Sequence, residues 1–227
     1  MANREEKNRA EVLSLGDLAK ILVAIPLERA AVYLSGALFG ARYGELAGLS
    51  WGDLFSTEGL LDGVTIARQW TGKIWKATKT KAIHTIPIRP DHWAILEALR
   101  VKQQLQLGRW TTPADPMFAF FARGEQRRWS ENTLLRNFRK DYRAAGVEDP
   151  FVMDVVDGEL RKTTFARRVH ALRHTFISQL LNADAPERVV RSMTHKKPSG
   201  DSFGRYAHVS WASKCAAVSM LPARFAL

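Results

Sequence analysis

A histidine and an arginine three residues apart, His170 and Arg173, are the side chains best suited to chemistry on a phosphate. Residues with this spacing share one face of a helix, and both fall in the first turn of a helix predicted to begin at His170. The backbone N–H groups of a first turn also favour an anion. A guanidinium clamps two phosphate oxygens while an imidazole gives or takes a proton. The segment therefore indicates a phosphate-binding site.

A zinc site is the main alternative for this segment. His170 and His174 are four residues apart, the spacing of a zinc-binding pair, but Ala171 stands where the metalloprotease pattern requires glutamate. No cluster of further ligand residues accompanies the pair, and structural zinc needs four ligands. We therefore predict no metal site, and we interpret His174 as a histidine packed in the core.

Three further segments carry candidate side chains. Arg42 and Glu45 are three residues apart at the start of a predicted helix, while His195 and Tyr206 follow the histidine–arginine segment. Each has an ordinary explanation when taken alone. An Arg–Glu pair is a common surface contact, and a lone tyrosine is usually a half-buried packing residue. Only the order and spacing of these residues favour a common site.

The charge balance points to a polyanionic partner. The 227 residues include 34 Lys+Arg against 23 Asp+Glu, a formal charge of +11. Nucleic acid is the first candidate partner and an anionic membrane surface the second. A run without any acidic residue extends from Gly63 to Pro90, and it is either a solvated basic face or a platform for phosphates. Its candidate DNA-backbone contacts are Arg68, Lys73, Lys76 and Lys81.

A mostly helical α+β domain is predicted from the apolar periodicity. The predicted helices cover residues 14–25, 27–39, 43–49, 91–107, 130–145, 170–181, 187–193, 203–209 and 212–221. A small three-stranded antiparallel sheet is predicted from residues 64–69, 74–77 and 84–88. In the ambiguous stretch 151–168, VVDGEL is a candidate hairpin turn. The polar residues 1–12 are interpreted as a lead-in or the remnant of a linker.

Cysteine usage and hydropathy favour a soluble, intracellular protein. The single cysteine, Cys215, forms no disulfide within the chain and is expected to be a small buried side chain. The charged N-terminus lacks the apolar region of a signal peptide. No apolar run approaches the length of a membrane span.

Five motifs taken in order resemble one known family. ARYGELAGLSWGDL, TKTKAIHTIPI, HALRHTF, THKK and RYAHV extend over residues 42–209, about three quarters of the chain. Each is weak alone, but together they are similar to the catalytic domain of the tyrosine recombinases, also called the phage integrase family. The resemblance implies the DNA breaking–rejoining enzyme fold in residues 13–227 and double-stranded DNA as the partner.

The resemblance also implies a role for each matching residue. Tyr206 would attack the scissile phosphate and form a 3′-phosphotyrosyl link, which frees a 5′-hydroxyl. Arg42 and Arg173 would hold the non-bridging oxygens, and His170 and His195 would donate hydrogen bonds or move the tyrosine proton. The two arginines would place fixed positive charge where negative charge develops in the transition state. Neither a metal nor another cofactor is expected.

Two supporting residues complete the implied site. Lys79, on the turn between the second and third predicted strands, resembles the lysine that protonates the departing 5′-oxygen. Lys76 and Lys81 lie close enough in sequence to be alternatives, since the register of the turn is not fixed by sequence. Glu45 resembles the acidic residue that orients the region of the first arginine.

The chain departs from the family pattern in two places. His195 and Tyr206 are eleven residues apart, slightly more than usual, which predicts a small loop insertion in KKPSGDSFG. Little sequence precedes the first catalytic helix, so the N-terminal core-binding domain of full recombinases is expected to be absent and the chain to be a fragment. A full-length relative would form a homotetramer on paired DNA sites, and the isolated domain a monomer.

Several alternatives stay open at this point. A type IB topoisomerase uses the same tyrosine chemistry, and a DNA-binding remnant without activity would keep part of the pattern. The C-terminal segment 210–227 is predicted to be an apolar helix with a tail, which packs either on its own core or on a neighbouring protomer. A location in the cytoplasm of a prokaryotic host, associated with the nucleoid, is the expectation that the resemblance adds.

Overall fold

The computed structural model describes residues 12–78, 83–148, 151–164, 169–194 and 209–222. The helices are α1 (Leu15–Val23), α2 (Leu27–Phe39), α3 (Tyr43–Gly48), α4 (Pro90–Leu107), α5 (Glu131–Ala144), α6 (His170–Asn182), α7 (Glu187–Met193) and α8 (Trp211–Ser219). The strands are β1 (Leu54–Phe55), β2 (Gly63–Ile66), β3 (Arg68–Thr71), β4 (Ile74–Ala77), β5 (His84–Pro87), β6 (Ala119–Ala122), β7 (Glu125–Arg128), β8 (Phe151–Val156) and β9 (Glu159–Thr164). The mostly helical α+β fold is therefore confirmed.

Side-chain caps and left-handed glycines explain where the helices begin and end. The Ser14 hydroxyl accepts a hydrogen bond from the Asp17 N–H, and the Ser130 hydroxyl accepts one from the Thr133 N–H. Gly40 ends α2 and Gly108 ends α4, each in the left-handed region. The capped start of α1 and the ends of α2 and α4 agree with the sequence-based predictions.

Helix α2 forms the centre of the core. Ten consecutive residues, from Ala30 to Phe39, are buried because α1, α4 and α6 all pack against this helix. Tyr33, Phe39 and the α6 residue Phe176 are fully enclosed. The core thus fixes α6, which begins at His170, against the end of α2, which leads directly to Arg42.

The three-stranded antiparallel sheet is present, but two of its three predicted members were wrong in extent or place. Its order is β1–β2–β5, while β3 and β4 form a separate hairpin. The predicted strand 64–69 is interrupted at Ala67, because Val64 and Ile66 turn into the core whereas the side chains after Ala67 stay near the surface. The third member, β1, is only two residues long and has no period that a sequence pattern could reveal.

Two further hairpins lie later in the chain. The candidate turn in residues 151–168 is confirmed, since β8 pairs with β9 around Asp157 and Gly158, whose φ angles are 54° and 81°. Positive φ at both positions is the mark of a two-residue hairpin turn. The hairpin β6–β7 was not predicted, because its turn residues, Arg123 and Gly124, are not a common turn pair.

The C-terminal helix packs on its own chain. The Lys214 ammonium of α8 donates to the backbone carbonyl of Thr85 in β5, at 3.0 Å. The Arg89 guanidinium donates to the carbonyls of Leu221 and Pro222, at 2.6 and 2.8 Å. Cys215 is buried, as predicted, and burial raises the pKa of its thiol. Of the predicted helix 203–209, residues 203–208 lie outside the described part of the chain.

No helix in the described ranges is both long enough and apolar enough to cross a lipid bilayer.

Acid is expected to destabilise the fold through one buried histidine. Burial lowers the pKa of His92 to about 3, and its Nε2 lies 2.8 Å from the Ser35 hydroxyl in the core. The unfolded chain binds a proton at this residue below about pH 6.5, whereas the folded chain does not until about pH 3. Stability should therefore fall by up to about 1.4 kcal/mol per pH unit as the pH drops through this window.

Urea unfolding at several pH values measures this slope. His92→Phe removes the titrating group. Between pH 6 and pH 4, the slope of the unfolding free energy against pH should therefore be smaller in the variant by the contribution of about one proton, whatever its absolute stability. An unchanged slope in the variant would show that His92 is not the group responsible.

Candidate active site

Arg42 is held in place by the buried carboxylate of Glu45. Arg42 is the extended residue just before α3, and its N–H donates to Glu45 Oε2 at 2.8 Å. Its Nη1 donates to Glu45 Oε1 at 3.0 Å, and the Glu45 side chain is fully buried. Because Glu45 fixes both the backbone and the guanidinium, Arg42 has a defined direction rather than the freedom of a surface arginine.

Close packing between α2 and α6 brings the histidine–arginine segment to Arg42. A Cβ atom added at Gly36 would lie 2.8 Å from Leu172 Cδ1, and one added at Gly40 would lie 2.3 Å from Phe176 Cδ1. Only glycine at these positions allows the helices to approach so closely. Since Gly40 has a φ of 58°, the same residue also turns the chain toward Arg42.

The Arg173 guanidinium connects two chain segments, one that ends just before Arg42 and one that ends just before His195. It is buried, and it donates hydrogen bonds to the backbone carbonyls of Gly40 and Thr194. Burial and the nearby charge of Arg42 lower the pKa of Arg173 to about 10, so that it stays protonated near neutral pH. Two of the five guanidinium N–H donors make these bonds, which leaves three for another acceptor.

His170 lies in the first turn of α6, at the wall of a cavity. Partial burial lowers its pKa to about 4, and the charges of His174, Arg173 and Arg42 act in the same direction. Part of the His170 side chain stays exposed to water. His170 is therefore a neutral imidazole near pH 7, able to donate at one nitrogen and accept at the other.

His174 is not the enclosed core residue that we expected. It is half-buried, and its ring meets that of His170 edge-on, with 4.9 Å between the ring centroids. The four-residue spacing explains the contact, since it places both rings on one face of α6. The described residues contain no group of three or more side chains suited to hold a metal ion.

The cavity has a volume of about 760 Å³ and opens between four elements of the fold. Its lining residues come from the start of α3, from β3, from α5 and from the start of α6. They are Arg42, Tyr43, Gly44, Gln69, Thr71, Glu131, Leu135, Arg139, Val169 and His170. A volume in the range of about 300–1,000 Å³ accommodates a ligand much larger than one phosphate group.

The β3–β4 hairpin forms one side of this cavity because two glycines let it contact α3. A Cβ atom at Gly44 would lie 2.7 Å from the Thr71 hydroxyl, and one at Gly48 would lie 3.1 Å from the Arg68 carbonyl. The Trp75 ring then contacts two guanidinium groups, those of Arg68 and Arg128, each 4.7 Å from its centre. These contacts fix the hairpin beside Arg42.

The proposed DNA-backbone residues differ in their surroundings. Arg68 forms an ion pair with Asp53, with 3.3 Å between Nη2 and Oδ2. Lys73, at the tip of the hairpin with a φ of 64°, and Lys76 are exposed. Lys81, like the site residues Lys79, His195 and Tyr206, lies outside the described residues. The structure thus brings Arg42, Glu45, His170 and Arg173 together, and the positions of the other three site residues stay predictions.

Sequence reasoning missed several cavity residues. Tyr43 lies within a motif and Gln69 within a predicted strand, and neither position by itself indicates a site. Arg139 belongs to a series of basic residues at helical spacing on α5, which was a usable signal. Only the tertiary fold shows that Arg139 of this series lines the cavity.

Substituting Gly40 is expected to damage both stability and the site. Gly40→Ala places a methyl group against the Phe176 ring and forces alanine into the left-handed region. The two effects together should lower the free energy of unfolding by about 2–4 kcal/mol. Gly108→Ala is the matched control, since Gly108 has a φ of 65° and no heavy atom within 4 Å of the added Cβ.

Chemical denaturation of the two glycine variants separates these effects. The control should show only the conformational cost of about 1 kcal/mol. Equal losses in both variants would mean that contact with Phe176 does not restrict position 40.

Comparisons with known proteins agree with the resemblance. The sequence profile of the phage integrase family matches residues 24–212. The integrase from mycobacterium phage Brujita is 21% identical, with a TM-score of 0.54 over 93% of this chain and 57% of that one. The Tn1549 transposon integrase in complex with transposon right end DNA is 18% identical, with a TM-score of 0.59 over 92% of this chain and 65% of that one.

A third solved structure, a lambda integrase tetramer bound to a Holliday junction, is 18% identical, with a TM-score of 0.54 over 86% of this chain and 47% of that one. The chain therefore spans between about half and two thirds of the length of these three proteins. No curated protein sequence matches the chain. At these identities the solved structures show a shared fold, and the profile, which covers most of the chain, shows the family. This chain belongs to the phage integrase family.

Proposed function

We propose that residues 13–227 are the catalytic domain of a site-specific DNA recombinase that cleaves and rejoins strands through a 3′-phosphotyrosyl intermediate. The observation that carries this proposal is the convergence of Arg42 with His170 and Arg173, which come from two distant segments of the chain. Arg42 and His170 line one cavity, and Arg173 binds the carbonyl of Gly40 just before Arg42. Such a set of donors suits a phosphodiester.

The surroundings of the other tyrosines support Tyr206 as the nucleophile. The chain has four tyrosines, and Tyr33 and Tyr142 are fully buried in the core. Tyr43 borders the cavity, but its hydroxyl donates to the Trp129 carbonyl at 2.5 Å. Burial, with the neighbouring charge of Glu131, raises the pKa of Tyr43 far above its usual range, which makes it a poor nucleophile. The surroundings of the other three tyrosines thus argue against them as nucleophiles, which leaves Tyr206 as the candidate.

In the proposed reaction, the Tyr206 oxygen forms a bond to phosphorus as the bond from phosphorus to the 5′-oxygen breaks. His170, neutral near pH 7, and His195 donate hydrogen bonds to the phosphate or take up the phenolic proton. Lys79 gives a proton to the departing 5′-oxygen. Arg42, oriented by Glu45, and Arg173 stabilise the charge of the pentacoordinate transition state. Rejoining is the reverse displacement by a 5′-hydroxyl.

The proposed mechanism draws its positive charge from side chains. Two guanidinium groups, those of Arg42 and Arg173, supply the fixed charge that a divalent cation would provide elsewhere. We therefore expect cleavage to persist in the presence of a strong chelator. Loss of cleavage that added Mg²⁺ restores would contradict metal independence while leaving the tyrosine chemistry intact.

Double-stranded DNA is the proposed partner, and four copies on paired sites are the proposed assembly of the full-length protein. One solved relative, the lambda integrase, is a tetramer bound to a Holliday junction. The isolated chain is proposed to be monomeric. Its place of action is proposed to be the cytoplasm of a prokaryotic host, at the nucleoid.

Covalent capture from a pool of randomised, nicked duplexes tests this function and identifies the cleaved sequence in the same experiment. A nick next to the cleaved bond lets a short fragment leave, so that the protein–DNA adduct accumulates. We expect denaturant-resistant adducts whose DNA shares a sequence, linked through its 3′ end. Relaxation of supercoiled plasmid at any sequence would favour a topoisomerase, and binding without adducts would favour an inactive DNA-binding domain.

A further inference from the structure

We propose that Arg139 binds a second phosphate of the DNA, next to the scissile one, and so positions the strand in the cavity. The inference rests on the proposed function, and it gives the far wall of the same cavity a role in binding DNA. That wall is formed by one face of α5, because Glu131, Leu135 and Arg139 recur at four-residue spacing. Arg42 and His170 line the cavity from α3 and α6.

The Arg139 side chain lacks a partner within the described residues. Its Nε atom is buried and has no hydrogen-bond acceptor there, and no ion pair among those residues involves its guanidinium. Two other arginines near this site are engaged, Arg42 by Glu45 and Arg128 by the carbonyls of Ala47 and Leu49. No protein acceptor within the described residues holds the Arg139 guanidinium, and the residue lines the cavity, so its other N–H groups are available to an acceptor from a ligand.

The charges around Arg139 identify the chemistry of that ligand. A second hollow of about 530 Å³ adjoins the cavity and shares Leu135 and Arg139 with it. Its other charged residues are Arg136, Lys140 and Arg143, and its lining includes no acidic side chain. From Arg136 to Arg143 the helix advances about 10 Å, so these cations form a track rather than a point. An extended polyanion fits a track of this kind.

One acidic residue limits where the second phosphate can lie. Glu131, at the start of α5, borders the cavity on the side of Tyr43, whose pKa it helps to raise. Its carboxylate repels a phosphate from that side. The strand is therefore directed along the other end of the α5 face, past Arg139 and into the second hollow.

Replacing one charged backbone phosphate of the DNA at a time by an uncharged group tests this assignment. Duplexes recovered by covalent capture would be prepared with one methylphosphonate at each position around the cleaved bond, and the rate of adduct formation measured. Arg139→Gln should slow adduct formation on unmodified DNA by about tenfold to a hundredfold. At one non-scissile position, the methylphosphonate should slow the wild-type protein by about the same factor as Arg139→Gln does on unmodified DNA. At that position it should not slow the Arg139→Gln variant any further.

Arg127→Gln is the matched control, since Arg127 is exposed on β7, is paired with Glu125 at 2.8 Å and lines neither hollow. Its effect should be independent of every methylphosphonate. Thermal unfolding supplies a second readout, because Arg139→Gln removes an unpartnered donor and should not lower the melting temperature.

Two negative results are distinguishable. Adducts with the wild type, but additive effects of Arg139→Gln and methylphosphonate at every position, would overturn this inference alone. Absence of adducts from the wild type on the whole pool would overturn the proposed function, and the inference with it.

Discussion

Tyr206→Phe is expected to abolish covalent attachment of DNA while leaving DNA affinity nearly unchanged. The substitution removes one oxygen atom, the proposed nucleophile, and keeps the ring. The rate should fall by a factor on the order of a million, the size of loss seen when a covalent nucleophile is removed. Denaturing gels of the nicked-duplex reaction measure the adduct, and fluorescence anisotropy measures binding at a fixed salt concentration.

Tyr43→Phe provides the control for this experiment. Tyr43 also borders the cavity, but its hydroxyl is committed to the Trp129 carbonyl. The variant should still form the adduct, with at most a modest change in rate or stability. Adducts formed by Tyr206→Phe but lost in Tyr43→Phe would reverse the assignment.

Arg173→Lys is expected to have the second largest effect, although it preserves the positive charge. The guanidinium spans the carbonyls of Gly40 and Thr194 and keeps further N–H donors for a phosphate. A lysine ammonium is a single point of charge and cannot reproduce this fork. Cleavage should fall by about a hundredfold to a thousandfold, the usual cost of losing one donor to the transition state.

Two measurements keep this prediction separate from simple misfolding. Arg191→Lys is the control, since Arg191 on α7 makes a surface pair with Glu187 four residues away and should tolerate the change. Arg173→Lys protein that melts cooperatively and binds DNA, yet cleaves it slowly, supports the proposed role. Cleavage at the wild-type rate would show that Arg173 does not act on the phosphate.

Local sequence signals were enough to predict most of the described helices and the local arrangement of two candidate site segments. The start of α6 at His170 and the pairing of Arg42 with Glu45 both follow from three-residue spacing on a helix. The hydroxyl of Ser130 caps α5 as its sequence indicates. These features depend on neighbouring residues in the chain, so that a sequence pattern contains the necessary information.

Features set by distant contacts were not predictable in the same way. Nothing local distinguishes Gly63–Ile66, which pairs with β5 in the core, from the residues after Ala67, which turn into a separate hairpin. Likewise, the basic series on α5 has the same pattern whether it faces solvent or a cavity. That Arg139 shares a cavity with Arg42 and His170 becomes visible only once α3, α5 and α6 are assembled.

The central claim is that Tyr206 forms a covalent bond to DNA beside the cations gathered by the fold. Mass spectrometry of the captured adduct, after digestion of both protein and DNA, tests it most directly. The account predicts one modified peptide, containing Tyr206, with the nucleotide attached through its 3′-phosphate. A nucleotide on Tyr43 or on a serine, or a linkage through the 5′-phosphate, would contradict it.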